Sequence, residues 1–151
     1  MDDPRGYNAI LYDSFIASQL PSDFRIVQIN QAFSIYKHTL RGLHYQLPPH
    51  AQAKLCYCLT GSVFNVALNL ETGEAVGEEL KPGTAMFIPR GYAHGYLTLE
   101  PNTLFQWCVD NNFAPEAARV VHYSAVECWP IDDWNKVIIS EKDRNGVKWP
   151  G

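Results

Sequence analysis

Residues 80–99, "LKPGTAMFIPRGYAHGYLTL", contain short apolar runs between two turn signals, Pro82-Gly83 and Pro89-Arg90-Gly91. The runs are too short for stable helices and contain residues that favour strands. Proline presets the backbone of a turn and glycine accepts conformations closed to other residues, so each pair ends one strand before the next begins. The stretch therefore predicts short strands separated by turns.

Two further runs of β-forming residues, 54–59 and 63–70, lie upstream of this stretch. Thr60-Gly61-Ser62 separates them, which is a hairpin signal. In the second run, the even positions from Phe64 to Leu70 are apolar, and the alternate face carries Asn65, Ala67 and Asn69. Side chains alternate between the faces of a strand, so one face is expected to cover a core.

The remaining chain continues the same pattern. Further strands are predicted at 24–30, 33–40, 104–110, 119–123 and 136–139, and only residues 11–20 favour a helix. Many short strands with regular turns indicate a sandwich or barrel. The turn at Pro89-Arg90-Gly91 followed by His94 resembles the second half of a cupin. We therefore predict a single all-β domain over 1–151, a cupin-type double-stranded β-helix (jelly roll) with a short N-terminal helix.

The composition and net charge of the chain argue against some classes of binding partner. The chain has 151 residues, of which 46% are hydrophobic and 19% charged, as in a globular protein. A formal net charge of -4 gives no reason to expect nucleic acid or an anionic membrane. We see no signal peptide and no apolar run long enough for a membrane span, so a cytoplasmic location is expected. The four cysteines are expected to be reduced and buried.

The stretch from Leu40 to Gln46, "LRGLHYQ", places polar groups within an apolar strand. His44 is a candidate acid or base because imidazole titrates near neutral pH, although a tautomer-locked core histidine would look the same. Asp143 could orient it, but spacing alone does not show that they meet. Alternation puts Arg41 on the face opposite His44, unless Gly42 permits a bulge.

A metal site is not favoured by these residues. A metal-binding cupin usually brings a His-x-His pair and a Glu from its first half, where this chain offers only His44, with His50 in a proline-flanked loop. His44 and His94 alone, without a carboxylate, are too few for a stable metal site. We therefore expect a site with no metal and no cofactor.

Four segments occur in one order: "QINQAF...TLRGLHYQLPPHAQAKL" (28–55), "GSVFNVALNL" (61–70), "FIPRGYAHGYLTL" (87–99) and "ISEKD" (139–143). Together they resemble the dTDP-4-dehydrorhamnose 3,5-epimerase family. The resemblance implies a metal-independent cupin that forms homodimers. It also implies an isomerase acting on a nucleotide-diphosphate sugar, a dTDP-linked 4-keto-6-deoxyhexose, in deoxysugar (dTDP-rhamnose) biosynthesis.

The resemblance also implies roles for single residues. His44 matches the general base, Asp143 the carboxylate that orients it, and Lys54 the lysine near the sugar C4 oxygen. The positions implied to contact the substrate are Arg5, Gln28, Asn30, Arg41, Gln46, His94 and Lys142. For Lys54, the alternative is a lysine at a sheet edge with its amine in water.

The chain departs from the family at Trp107, which stands where the family has an acidic tyrosine opposite the base. An indole N–H donates a hydrogen bond but delivers no proton near neutral pH. Three interpretations remain open. The site epimerises one or two carbons with another donor, such as a tyrosine, Cys108 or water; it takes a different nucleotide-keto-sugar, as a 3-epimerase or ketoisomerase; or it binds a nucleotide sugar with weak or lost turnover.

Overall fold

The structure, a computed structural model, describes residues 2–150 and is built mainly from strands. In chain order the strands are β1 (Asp2–Asp3), β2 (Gly6–Tyr7), β3 (Gln28–Ser34), β4 (Leu40–Gln46), β5 (Lys54–Thr60), β6 (Val63–Asn69), β7 (Ala75–Leu80), β8 (Ala85–Ile88), β9 (Tyr92–Thr98), β10 (Thr103–Val109) and β11 (Ala118–Val120). The helices are α1 (Ser14–Ser18) and α2 (Glu141–Arg144), with 3-10 turns at Pro115–Ala117, Tyr123–Ala125 and Trp134–Lys136. Within this range neither helix is long or apolar enough to cross a membrane.

Two antiparallel sheets form the body of the fold. One has four strands in the order β3-β10-β5-β8, and the other has five in the order β11-β4-β9-β6-β7. Buried residues from both sheets, among them Cys56, Ala67 and Phe105, pack together in the interior between them. The predicted all-β cupin-type jelly roll with a short N-terminal helix is therefore confirmed.

The predicted hairpin around Thr60-Gly61-Ser62 is wrong. β5 belongs to the four-stranded sheet and β6 to the five-stranded sheet, so this turn carries the chain between sheets. Gly61 has a φ of +83°, and a Cβ there would clash with the side chain of Thr103. A turn signal reports a local change of direction, whereas the partner of each strand is decided by long-range pairing.

Other predicted boundaries were also wrong. One strand, β3, replaces the two predicted at 24–30 and 33–40, because the chain crosses between the sheets after Ser34. The segment at 119–123 is a strand only over β11. Residues 136–139 form no regular strand, and Ile138 makes an isolated bridge to Thr39. The helix predicted at 11–20 is confined to α1, which Asp13 caps by accepting a hydrogen bond from the Ile16 amide.

Segments outside the sheets cover their outer faces. Val66 and Leu68 of β6 pack in a cluster with Trp129 from the C-terminal segment. The other face of β6 is buried as well, since Asn65 and Ala67 point into the interior. Both faces of this strand are therefore covered, where alternation had predicted only one.

The four cysteines are unpaired, and Cys128 is exposed, which corrects the expectation that all four are buried. Cys56 and Cys58 share one face of β5 and point into the interior. Cys108 instead packs with Phe24 and Tyr57 on the outer side of the four-stranded sheet.

Candidate active site

The interior opens into a cavity of about 230 Å³ between the two sheets. Of the residues predicted for the site, it is lined by Arg41, His44, Gln46, Lys54, His94, Trp107, Lys142 and Asp143. β4 contributes three of these eight and the C-terminal helix α2 two. The cavity thus joins segments that lie about a hundred residues apart in the chain.

His44 and Asp143 meet at one side of this cavity. His44 Nε2 lies 2.7 Å from Asp143 Oδ1, and the Gly42 amide donates to Asp143 Oδ2 at 3.0 Å. Burial disfavours the charged carboxylate, but hydrogen bonding and charge from His44, with help from Gly42 and Lys142, hold the pKa of Asp143 below its usual value. An ionised Asp143 accepts from Nε2–H, so Nδ1 of a neutral His44 is left as a proton acceptor.

The backbone at Gly42 brings Arg41 to the same cavity as His44. The pairing of β4 with β9 shifts register between Arg41 and His44, which is the bulge that interior glycine permits. Gly42 has a φ of +113°, and a Cβ there would lie 2.6 Å from the His94 carbonyl oxygen. Arg41 then extends toward β3, where its guanidinium donates to Ser34 Oγ at 3.2 Å.

A buried polar chain runs from β6 to β5. His94 Nε2 lies 2.7 Å from Asn65 Oδ1, and His94 Nδ1 lies 3.5 Å from Lys54 Nζ. The Asn65 amide nitrogen faces Met86 Sδ at 3.3 Å, so its oxygen is directed to the imidazole. His94 is therefore a donor at Nε2 and an acceptor for Lys54 at Nδ1.

Burial dominates the electrostatics of this chain. Desolvation lowers the pKa of Lys54 to about 8, and the nearby Cys56 opposes the shift. The pKa of His94 lies well below its usual value because burial and then the charges of Lys54 and His44 disfavour the imidazolium. Lys54 is thus a buried cation held by a neutral histidine, and a position at a sheet edge in water is excluded by its 5% exposure.

An aromatic wall lines the interior beside these groups. Tyr96 stacks on Phe105 with ring centroids 4.1 Å apart, and Phe105 lies 5.9 Å from Trp107. Trp107 lines the cavity, so the indole occupies the wall of the site. Its neighbours in the four-stranded sheet are Asn30 on β3 and Cys56 on β5.

Three predicted substrate contacts are outside the cavity lining of the single chain. Arg5 lies in the turn between β1 and β2, where it pairs with Asp3 at 2.7 Å. Gln28 and Asn30 lie on β3 and hydrogen bond to each other at 2.7 Å. Gln28 also accepts from the amide of Phe113, a cavity residue, so these amides lie next to the lining without forming part of it.

Gln46 lines the cavity, but its polar atoms are bound to the backbone. Its amide nitrogen donates to the carbonyls of His50 and Asn112, and its oxygen accepts from the Ala114 amide at 2.8 Å. This residue, 5% exposed, therefore holds two loops together, and the substrate contact that the motif implied stays a prediction.

Sequence reasoning missed several residues of the lining. Arg119, to which no motif gave a role, lies at the cavity next to Tyr45 of β4. Asn65 and Tyr96 were not singled out. The alternation along β6 and β9 was a usable signal, because it places Asn65 on one face with Ala67, and Tyr96 on one face with His94. Within residues 2–150, no group of three or more His, Cys, Asp or Glu side chains is arranged to hold a metal ion.

Known sequences match this chain over most of its length. Relatives named dTDP-4-dehydrorhamnose 3,5-epimerase include one from Sinorhizobium fredii, 32% identical over 93% of this chain and 76% of the relative. Another, from Pseudomonas aeruginosa, is 38% identical over 80% of this chain and 70% of the relative. A dTDP-4-dehydro-6-deoxyglucose 3-epimerase from a Streptomyces species is 27% identical over 82% of this chain and 66% of the relative.

Solved structures agree with this result. The Bacillus anthracis dTDP-4-dehydrorhamnose 3,5-epimerase with TDP and PPi bound has a TM-score of 0.86 at 28% identity, covering 97% of this chain and 87% of that one. The Legionella pneumophila enzyme in complex with dTDP-4-keto-L-rhamnose has a TM-score of 0.85 at 31% identity, covering 97% and 81%. The family profile described as dTDP-4-dehydrorhamnose 3,5-epimerase matches residues 1–150. The chain therefore belongs to the dTDP-4-dehydrorhamnose 3,5-epimerase family of isomerases.

Proposed function

We propose that this protein epimerises C3, C5 or both in a dTDP-linked 4-keto-6-deoxyhexose, with His44 as the general base. The observation that carries the proposal is the 2.7 Å contact of His44 Nε2 with the buried Asp143, in a cavity that also holds Lys54. A base, its orienting carboxylate and a buried cation are the groups that proton abstraction next to a ketone requires.

The chemistry follows from the acidity of the sugar. A ketone at C4 acidifies the hydrogens on C3 and C5, and Nδ1 of His44 would remove one of them. The resulting enolate carries negative charge on the C4 oxygen. Lys54 would stabilise that charge, because its ammonium is held in a buried site where electrostatic interactions are strong.

The substrate class is supported by the relatives. The Legionella structure contains dTDP-4-keto-L-rhamnose and the Bacillus structure TDP, so both bind thymidine nucleotides or their sugars. In this chain Arg41 and Lys142, which line the cavity, would bind the diphosphate. Binding of the remote diphosphate would then help to hold the sugar against His44.

We also propose that the active form is a homodimer. Four large apolar side chains on or just after β3 are exposed by more than half, namely Ile29, Phe33, Ile35 and Tyr36. A strand at the edge of a sheet with such residues is suited to cover by a second copy. Light scattering should give twice the mass of one chain, and a Phe33→Glu change should lower it; a monomer at all concentrations would contradict the proposal.

Proton NMR of dTDP-4-keto-6-deoxyglucose in deuterated water tests the catalytic proposal. The wild-type protein should exchange hydrogen for deuterium at C3, C5 or both. His44→Ala should abolish that exchange. The matched control is His50→Ala, because His50 lies outside the cavity lining, with its imidazole 3.9 Å from Glu116.

Each outcome separates the functions. Exchange and inversion at both carbons would identify a 3,5-epimerase, while change at C3 alone would match the activity of the Streptomyces relative. Tight binding of dTDP without exchange would indicate a binding protein, an alternative that Trp107 keeps open. Exchange at the wild-type rate by His44→Ala would exclude His44 as the base.

A further inference from the structure

Inversion of a carbon needs two groups, because a proton leaves one face of the ring and another returns on the opposite face. A single base can only return a proton to the face from which it came. His44 and Asp143 form one such group, and Trp107 on the cavity wall has no transferable proton. A second proton donor is therefore required, from the remaining residues or from water.

Most of the other titratable side chains near the cavity already have a hydrogen-bond partner or lie in another part of the fold. The Nε2–H of His94 is bound to Asn65. Lys142 belongs to α2, next to Asp143, which contacts His44. Tyr45 packs against the outer cluster that contains Trp129. Cys108, a candidate from the sequence, lies on the outer side of the four-stranded sheet.

Tyr96 differs from all of these. Its residue is 4% exposed and lines the cavity. Among residues 2–150, its hydroxyl is the one buried side-chain nitrogen or oxygen without a hydrogen-bond partner. Leaving a buried hydroxyl unpaired is unfavourable by about 1–3 kcal/mol, so such a group is a candidate for a partner that arrives with the ligand.

The position of the ring also fits. Tyr96 belongs to β9, in the same sheet as His44, but its ring reaches across the interior and stacks on Phe105 of the facing sheet. The Tyr96 ring thus continues the wall formed by Phe105 and Trp107. In the pairing of β4 with β9, Arg41 lies directly opposite Tyr96, so a cation stands close to the phenol.

We propose that Tyr96 is the proton donor that completes inversion, in place of the indole at position 107. This inference rests on the proposed epimerase function. His44 takes the proton from the carbon, and the electron pair of the broken C–H bond forms the enolate. The enolate carbon then takes the proton from the Tyr96 O–H on the other ring face. The ketone is restored and a phenolate is left, which Arg41 stabilises. The phenolate then regains a proton from solvent, and His44 releases to solvent the proton that it took from the sugar.

The protonation state of Tyr96 is suited to this role. Burial raises the pKa of Tyr96 above its usual value, with Arg41 acting in the opposite direction. The phenol therefore stays protonated at neutral pH and is present as a donor when the enolate forms.

The test separates exchange from inversion in deuterated water. His44 alone can exchange a sugar hydrogen for deuterium, because its side chain is 43% exposed and can renew its proton from solvent. Tyr96→Phe should therefore keep exchange within about tenfold of wild type while inversion falls by about 10²–10⁴-fold. A role in packing alone would lower both rates together.

One further variant completes the experiment. Tyr57→Phe is the matched control. Tyr57 is a buried phenol on the outer side of the four-stranded sheet, and its hydroxyl donates a hydrogen bond to the Leu11 carbonyl. This variant should leave the ratio of inversion to exchange unchanged.

The outcomes for Tyr96 and for the proposed function are distinct. Inversion by Tyr96→Phe at the wild-type ratio to exchange would overturn the role of Tyr96 and leave the epimerase proposal intact. Absence of any exchange by the wild-type protein would overturn both the proposed function and the donor.

Discussion

Replacement of Gly42 by alanine tests how the bulge in β4 builds the site. Gly42 has a φ of +113°, and an alanine Cβ would lie 2.6 Å from the His94 carbonyl oxygen and 2.8 Å from the Gly95 Cα. Both neighbours are backbone atoms, so no side-chain rotation relieves the overlap. The strained dihedral costs about 1–3 kcal/mol, and overpacking adds about 1–3 kcal/mol.

Gly83→Ala is the matched control for this change. Gly83 has a φ of +96°, but a Cβ there meets nothing within 4 Å. It should therefore show the cost of the dihedral alone, about 1–3 kcal/mol. Gly42→Ala should exceed it by about 1–3 kcal/mol, the cost of the overlap with β9.

Urea unfolding at one fixed protein concentration measures the two stabilities. The NMR exchange assay should add a second difference, because movement of Gly42 displaces His44 and the amide that holds Asp143. A misplacement of about 1 Å can lower a rate about 10²-fold. Equal stability losses for Gly42→Ala and Gly83→Ala, with wild-type exchange in both, would refute the argument.

Three further changes address the polar groups of the cavity. Asp143→Asn keeps the size of the side chain but removes the charge that orients His44, and it should lower kcat by about 10²–10⁴-fold with a small change in KM in steady-state assays; an unchanged kcat would contradict the orienting role. The pKa of Lys54 is lowered to about 8 by burial, so activity that depends on its cation should fall as pH rises through about 8. Between about pH 8 and the ordinary lysine pKa of 10.5, Lys54 is protonated in the unfolded chain and deprotonated in the folded one, so its own contribution to stability rises with pH. Burial raises the pKa of Cys56, Cys58 and Tyr57, and these groups act in the opposite direction. The difference in urea midpoint between the wild type and Lys54→Met should therefore increase with pH in this window, and a constant difference would contradict the argument. Asn65→Leu leaves His94 Nε2–H unpaired and should cost about 1–3 kcal/mol in urea unfolding, whereas a cost near zero would show that this bond is unimportant.

Local patterns predicted the parts of this protein that depend on neighbouring residues. Turn signals and period-two alternation indicated an all-β sandwich, because strand length and side-chain direction are local properties. The same signals failed at Thr60-Gly61-Ser62, where the turn was correct and the pairing was not. They also failed at 136–139, where β-forming residues make only one bridge.

In the site, too, some residues were predictable from local sequence and others depended on long-range contacts. His44, Lys54 and Trp107 were found from motifs, because side-chain chemistry and motif spacing are written in the chain. Gln46 belonged to the same motif, but its amide is bound by backbone groups from two loops. Tyr96 belongs to the motif at 87–99 but was not predicted as a site residue, since a hydroxyl can be recognised as unpaired only once its surroundings are known.

The sequence by itself determined the class of fold, the family and the types of group available for chemistry. Only the tertiary structure decided that Asp143 meets His44 across 99 residues and that the bulge at Gly42 turns Arg41 into the same cavity. Likewise, it alone decided that Asn65 fixes the proton on His94 beside Lys54. The reason is physical: the chemistry of a side chain belongs to one residue, while its neighbours, burial and protonation arise from contacts between strands distant in the chain.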